Sequence, residues 1–121
     1  MSKLVIPGTL PTMNQIIAAS KRHHMQYSNM KNRDTNRVAA LARQQKIGKF
    51  DKVNLVFTWY CGDRRKDKDG IMAGQKFVLD GLQKAGVIEN DGWRQIGDIT
   101  HKFAIDRENP RIELELVEVI G

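Results

Sequence analysis

The chain has 121 residues, 40% hydrophobic and 28% charged, which fits one soluble domain and leaves no room for two cores. No apolar run is long enough to span a bilayer, and the opening Met1-Ser2-Lys3-Leu4 carries no signal-like stretch. The net charge is +6, and it is uneven: residues 1–50 hold nine Lys/Arg against one acid, and residues 51–121 hold eleven against thirteen. A basic half of this kind attracts polyanions, so nucleic acid is the first partner to test against a merely solvated lysine-rich surface. The lone Cys61 has no partner for an internal disulfide, which points to a buried, inert thiol and a cytoplasmic protein with no membrane partner.

In chain order, Leu4-Val5-Ile6 predicts a short strand ended by Pro7-Gly8, with irregular chain over Thr9 to Asn14. Residues 20–34 are polar and basic with little apolar periodicity, which predicts a mobile surface loop. Asp34 or Thr35 then caps a helix running to about Ile47 and stopped by Gly48, with Val38, Leu41, Ala42 and Gln45 on one face and Arg37 and Arg43 pointing away. Val53, Leu55, Phe57 and Trp59 alternate with polar neighbours, the period of a strand. A charged turn over Gly62 to Gly70 leads into a helix over Ile71 to Ala85, stopped by Gly86. Two strands close the chain, Gln95 to Ile105 and Arg111 to Ile120, joined by a turn at Asn109-Pro110. The predicted fold is one mixed α+β domain over residues 1–121, in the order β-α-β-α-β-β, with one mixed sheet and two helices.

The informative chemistry is Asp67-Lys68-Asp69-Gly70, then Lys76, then Asp91. Phosphodiester hydrolysis needs charge stabilisation at the phosphate and an activated water, and carboxylates holding Mg²⁺ supply both. If residues 67–69 stay extended, Asp67 and Asp69 point to one side and share an ion; Asp69 is also placed to cap the next helix. Lys76 lies about 10 Å further along that helix, with a side chain long enough to lean back. A chain folding back over the helix end brings Asp91 to the same cluster. Against this stand an ordinary exposed Asp-Gly turn and a surface pair between Lys76 and Asp80. A calcium loop is excluded, since Arg65 and Lys76 would occupy its acidic first and twelfth positions.

The run Arg64-Arg65-Lys66-Asp67-Lys68-Asp69, the segment Gln75 to Leu82, then Lys84-Ala85-Gly86-Val87-Ile88 and Asn90-Asp91 resembles the signature of RusA-type Holliday-junction resolvases. The Pro-containing opening Ile6 to Asn14 is similar to that family's N-terminal segment. Gly70 stands where the family has Asn, and Asn90 where it often has Asp. The resemblance implies an Mg²⁺-dependent homodimeric endonuclease that resolves four-way DNA junctions by paired nicks, in the setting of recombination, repair or phage DNA processing. Asp67, Asp69 and Asp91 would be metal ligands and Lys76 the cationic catalytic residue. Lys21, Arg22, Lys31, Arg33, Arg37 and Arg43 would hold the DNA backbone. A nuclease for other branched DNA and a non-catalytic DNA-binding module are the alternatives. His23 and His24 either touch phosphate or lie in solvent, and His101 receives no role. Trp59 is expected in the core, and Trp93 in the core, over the site or on a base.

Overall fold

The computed structural model describes residues 2–120. It is a mixed α+β domain whose elements run β1 (Ser2–Pro7), α1 (Met13–Arg22), α2 (His24–Gln44), β2 (Val53–Cys61), α3 (Lys68–Met72), α4 (Gln75–Lys84), β3 (Ile96–Ile105) and β4 (Arg111–Glu118). The strands form one sheet in the order β1-β4-β2-β3, with β2 and β3 parallel and the other pairs antiparallel. The predicted element order holds, except that an additional helix, α1, precedes the first expected helix and the second expected helix is divided into α3 and α4. No helix among the described residues is long and apolar enough to cross a membrane.

Alternation sets the core. Leu4, Ile6, Val53, Leu55, Phe57, Trp59, Ile112, Leu114 and Leu116 point to one side of the sheet and are 0–3% exposed. Val38, Ala42, Phe77, Val78 and Leu82 complete the same cluster. The opposite face is half-exposed and polar. There Arg111 lies 3.8 Å from the Tyr60 ring and bonds both Asp106 and Glu113, and Lys3 pairs with Glu113. Helix α2 seals one sheet edge: the Gln45 side chain accepts from Val5 N–H at 2.9 Å and donates to Val5 C=O at 2.7 Å.

Three expectations are corrected. The loop expected over residues 20–34 is helical except at His23, and α1 already begins at Met13, inside the segment 9–14 expected to be irregular. Thr12 and Gln15 cap each other's backbone and start α1, and an extended His23, whose Nδ1 accepts from Met25 N–H, divides α1 from α2. Asp34 and Thr35 therefore lie inside α2 and cap nothing. That helix ends at Gln44 rather than at Gly48, with Lys46 in the left-handed region (φ 57°) and the paired bonds Ile47 N–H to Ala42 C=O and Lys46 N–H to Arg43 C=O. Gly86 closes α4 in the same way at φ 78°, as predicted. Finally, the expected helix over 71–85 breaks at Gly74, where a Cβ would stand 3.1 Å from Leu10 and 3.2 Å from the Trp59 ring. The missing side chain at Gly74 is what lets that indole approach so closely.

Candidate active site

The acidic motif follows the carboxyl end of β2 and opens the crossover that returns to its parallel partner β3. Asp67 is extended (φ −71°, ψ 148°) and occupies the cap position of α3, but its side chain makes no capping bond. Asp69 is not extended, as the shared-side argument assumed, and does not cap. It lies in the first turn of α3, and its Oδ1 accepts from Gly70 N–H at 2.9 Å. Even so, Asp67 and Asp69 line one depression of about 250 Å³, together with Asn14, Met13 and Arg65.

Lys76 and Asp91 line a second depression, of about 530 Å³, with Gln75, Leu79 and Ile16. Met13 lines both. The structure thus brings the four residues together as two neighbouring pairs. No group of three His, Cys, Asp or Glu among the described residues is close enough to hold an ion jointly. Asp67, Asp69, Lys76 and Asp91 are all exposed, and none forms an ion pair among the described residues. The Lys76–Asp80 surface pair is absent, and Asp80 has one buried oxygen without a hydrogen-bond partner.

This donor set fits Mg²⁺. That ion is commonly held by one or two carboxylates with water and substrate phosphate rather than by a closed protein cage. Asp67 and Asp69 in one depression meet that need, and the Asn14 side chain adds a neutral oxygen donor. The sequence reading left Asn14 outside the site. Its signal was the Thr12-x-x-Gln15 capping box, which fixes Asn14 in the first turn of a helix. Gly70 has open space where a Cβ would stand and no positive φ, so neither packing nor backbone requires glycine there.

The basic residues divide into two groups. Arg37 donates to the carbonyls of Pro7 (2.8 Å) and Thr9 (3.3 Å), and Arg43 to that of Lys84 (2.9 Å), so both brace the fold. Lys21, Arg22 and Arg33 are exposed on α1 and α2, and Lys31 is half-exposed. His23 and His24 stack on each other at 4.7 Å on the surface. In the acidic motif's own segment, Lys68 lies over the Phe103 ring at 5.4 Å.

Two aromatic expectations separate. Trp59 is 3% exposed and Trp93 is 96% exposed, so Trp93 is not a core residue. His101, which received no role, accepts a hydrogen bond at Nδ1 from the Trp59 indole N–H at 3.0 Å, and burial lowers its pKa. Only the parallel pairing of β2 with β3 brings the two together. Cys61, expected to be buried, is half-buried, and that partial burial raises its thiol pKa. Neither a scan against protein-family models nor a search of curated proteins found a match to this chain.

Proposed function

We propose that the chain is a metal-dependent, structure-selective DNA endonuclease that resolves four-way junctions by paired nicks. The observation that carries this reading is the set of unpaired carboxylates, Asp67 and Asp69 beside Asn14, next to a second depression holding Lys76 and Asp91. Exposed acids without ion-pair partners among the described residues suit a cation that would meet a phosphate. A bound Mg²⁺ supplies charge neutralisation at the scissile phosphate and a more acidic water. Asp67 and Asp69 would hold the ion, and Asp91, in the adjoining depression that shares Met13, would supply the third carboxylate. Lys76, free of any ion-pair partner, neutralises charge that develops on the phosphate. Lys21, Arg22, Lys31 and Arg33 hold the backbone, with Arg37 and Arg43 contributing charge from their braced positions.

One chain has one such site, and symmetric nicking takes two, which supports a two-fold homodimer. A lone thiol without a disulfide supports a cytoplasmic setting. A non-catalytic DNA-binding module is the second reading, favoured by the absence of a three-ligand group among the described residues.

Labelled four-way junctions with and without Mg²⁺ decide between them. Asp67→Asn, Asp69→Asn and Asp91→Asn are each expected to lower cutting by orders of magnitude and to leave junction binding intact or tighter, since carboxylate–phosphate repulsion is relieved. Lys76→Ala is expected to slow cutting without loss of binding. Binding without any Mg²⁺-dependent cutting by the wild type would establish the binding module instead.

A further inference from the structure

Helices α1 and α2, with the Thr9–Pro11 segment, border an open cleft of about 760 Å³, within the range of roughly 300–1,000 Å³ usual for small-ligand sites. Its wall includes Asp34, which is 3% exposed. Asp34 Oδ2 accepts from Arg33 at 3.1 Å, and its carboxylate receives no other hydrogen bond among the described residues. Arg22, Arg33 and Arg37 line the same cleft, as do the side chains of Gln26 and Asn29. Asp34 is inside the helix, so the capping role that commonly explains an Asp is not available to it.

Arg33 pairs with Asp34 through one oxygen, and Arg37 is held by the Pro7 and Thr9 carbonyls, so the cleft offers a ligand Arg22 without a partner among the described residues, the outer face of Arg33 and the second Asp34 oxygen, which set opposite demands. A simple anion would satisfy the arginines but sit against the like charge of Asp34. A simple amine would satisfy Asp34 but be repelled by the arginines. A ligand with a ring-borne amine at one end and a phosphate at the other satisfies both. Adenine, guanine and cytosine carry such an exocyclic amine, and thymine does not. We propose that the α1–α2 cleft takes one unpaired, amine-bearing nucleotide of a DNA strand, its base on Asp34 and its phosphate between Arg22 and Arg33. Gln26 and Asn29 supply amides for the remaining base-edge groups.

The cleft lies on one flank of α1, and Met13, Asn14 and Ile16 present the other flank to the acidic depressions. A strand seated in the cleft reaches the carboxylates by crossing one helix, about 10–12 Å wide. The proposal rests on the nucleic-acid partner of the reading above and not on its chemistry.

The test measures binding of fluorescein-labelled oligodeoxycytidine and oligothymidine of equal length, in EDTA so that no cutting intervenes. The wild type is expected to prefer the deoxycytidine strand about tenfold, the worth of a hydrogen bond to a charged group. Asp34→Asn should erase the preference. Arg22→Ala should weaken both strands alike. Ala18→Phe, an exposed cleft position, should block both without touching the core, and keeps the test decisive if Asp34→Asn fails to fold. Equal binding of the two strands by the wild type, or full binding by Ala18→Phe, overturns the proposal. Tighter binding of free dCMP than of the deoxycytidine strand overturns its assignment to a DNA strand. Base preference without junction cutting sinks the nuclease and leaves the cleft standing; cutting without base preference does the reverse.

Discussion

Gly81 is where two opposing physical effects predict opposite signs. It lies inside α4, where replacing glycine by alanine is worth about 1 kcal/mol of helix propensity. A Cβ there would stand 2.5 Å from Val38 Cγ1, 2.6 Å from Val38 Cβ and 3.1 Å from the Ala39 backbone nitrogen. Val38 and Ala39 are fully buried in α2. The clash is with a branched carbon and a helix backbone, neither of which swings aside, so α2 and α4 must move apart. Overpacking of this kind costs about 1–3 kcal/mol, and more where backbone must shift. The backbone contact places Gly81 at the upper end, so the net for Gly81→Ala is a loss of about 2 kcal/mol. At about 4 °C per kcal/mol for a chain of this size, the melting temperature should fall by about 8 °C by circular dichroism. Because α4 carries Lys76, junction cutting should fall as well at temperatures where the variant remains folded. An unchanged or higher melting temperature would refute the tight α2–α4 contact, and with it the placement of Lys76 by that packing.

Gly70→Asn meets open space, so its stability should stay within about 0.5 kcal/mol of the wild type; cutting is expected to rise if an amide supports the neighbouring carboxylates, and a flat rate in a junction-cleavage assay would show that it has no such role. His101 links stability to pH. Its folded pKa is lowered by burial below the ordinary 6.5, so the unfolded chain binds the proton more readily. Its contribution is fully present above pH 6.5 and is lost as pH falls from there through the folded value, where a protonated Nδ1 also stops accepting from Trp59. Denaturant midpoints should therefore drop below about pH 6.5 in the wild type, and that part of the drop should be absent in His101→Asn; identical pH profiles would remove His101 from the account.

The strands and the later helix were legible from local pattern. Val53 to Trp59 alternates in a way only a half-buried strand needs, and Gly86 stops α4 because the left-handed turn there favours a residue without Cβ. The basic first half and the Asp67–Asp69 spacing were legible too, as properties of side chains rather than of their arrangement. Residues 20–34 were not, because 20–22 close α1 and 24–34 form the leading half of the 21-residue α2, which buries little there besides Asp34 and is anchored by Val38, Ala39 and Ala42. An apolar-periodicity argument has nothing to read where the helix faces a polar cleft. Gly74 likewise looks like any helix glycine until the Trp59 ring is packed against it. The pairing of Trp59 with His101, the division of the four site residues between two depressions sharing Met13, the entry of Asn14 and the burial of Asp34 all join residues distant in sequence. Such contacts are fixed by the register of the parallel β2–β3 pair and by the packing of α1 and α2, which sum over the whole chain. The sequence by itself determined which groups could do chemistry, and only the tertiary structure decided which of them meet.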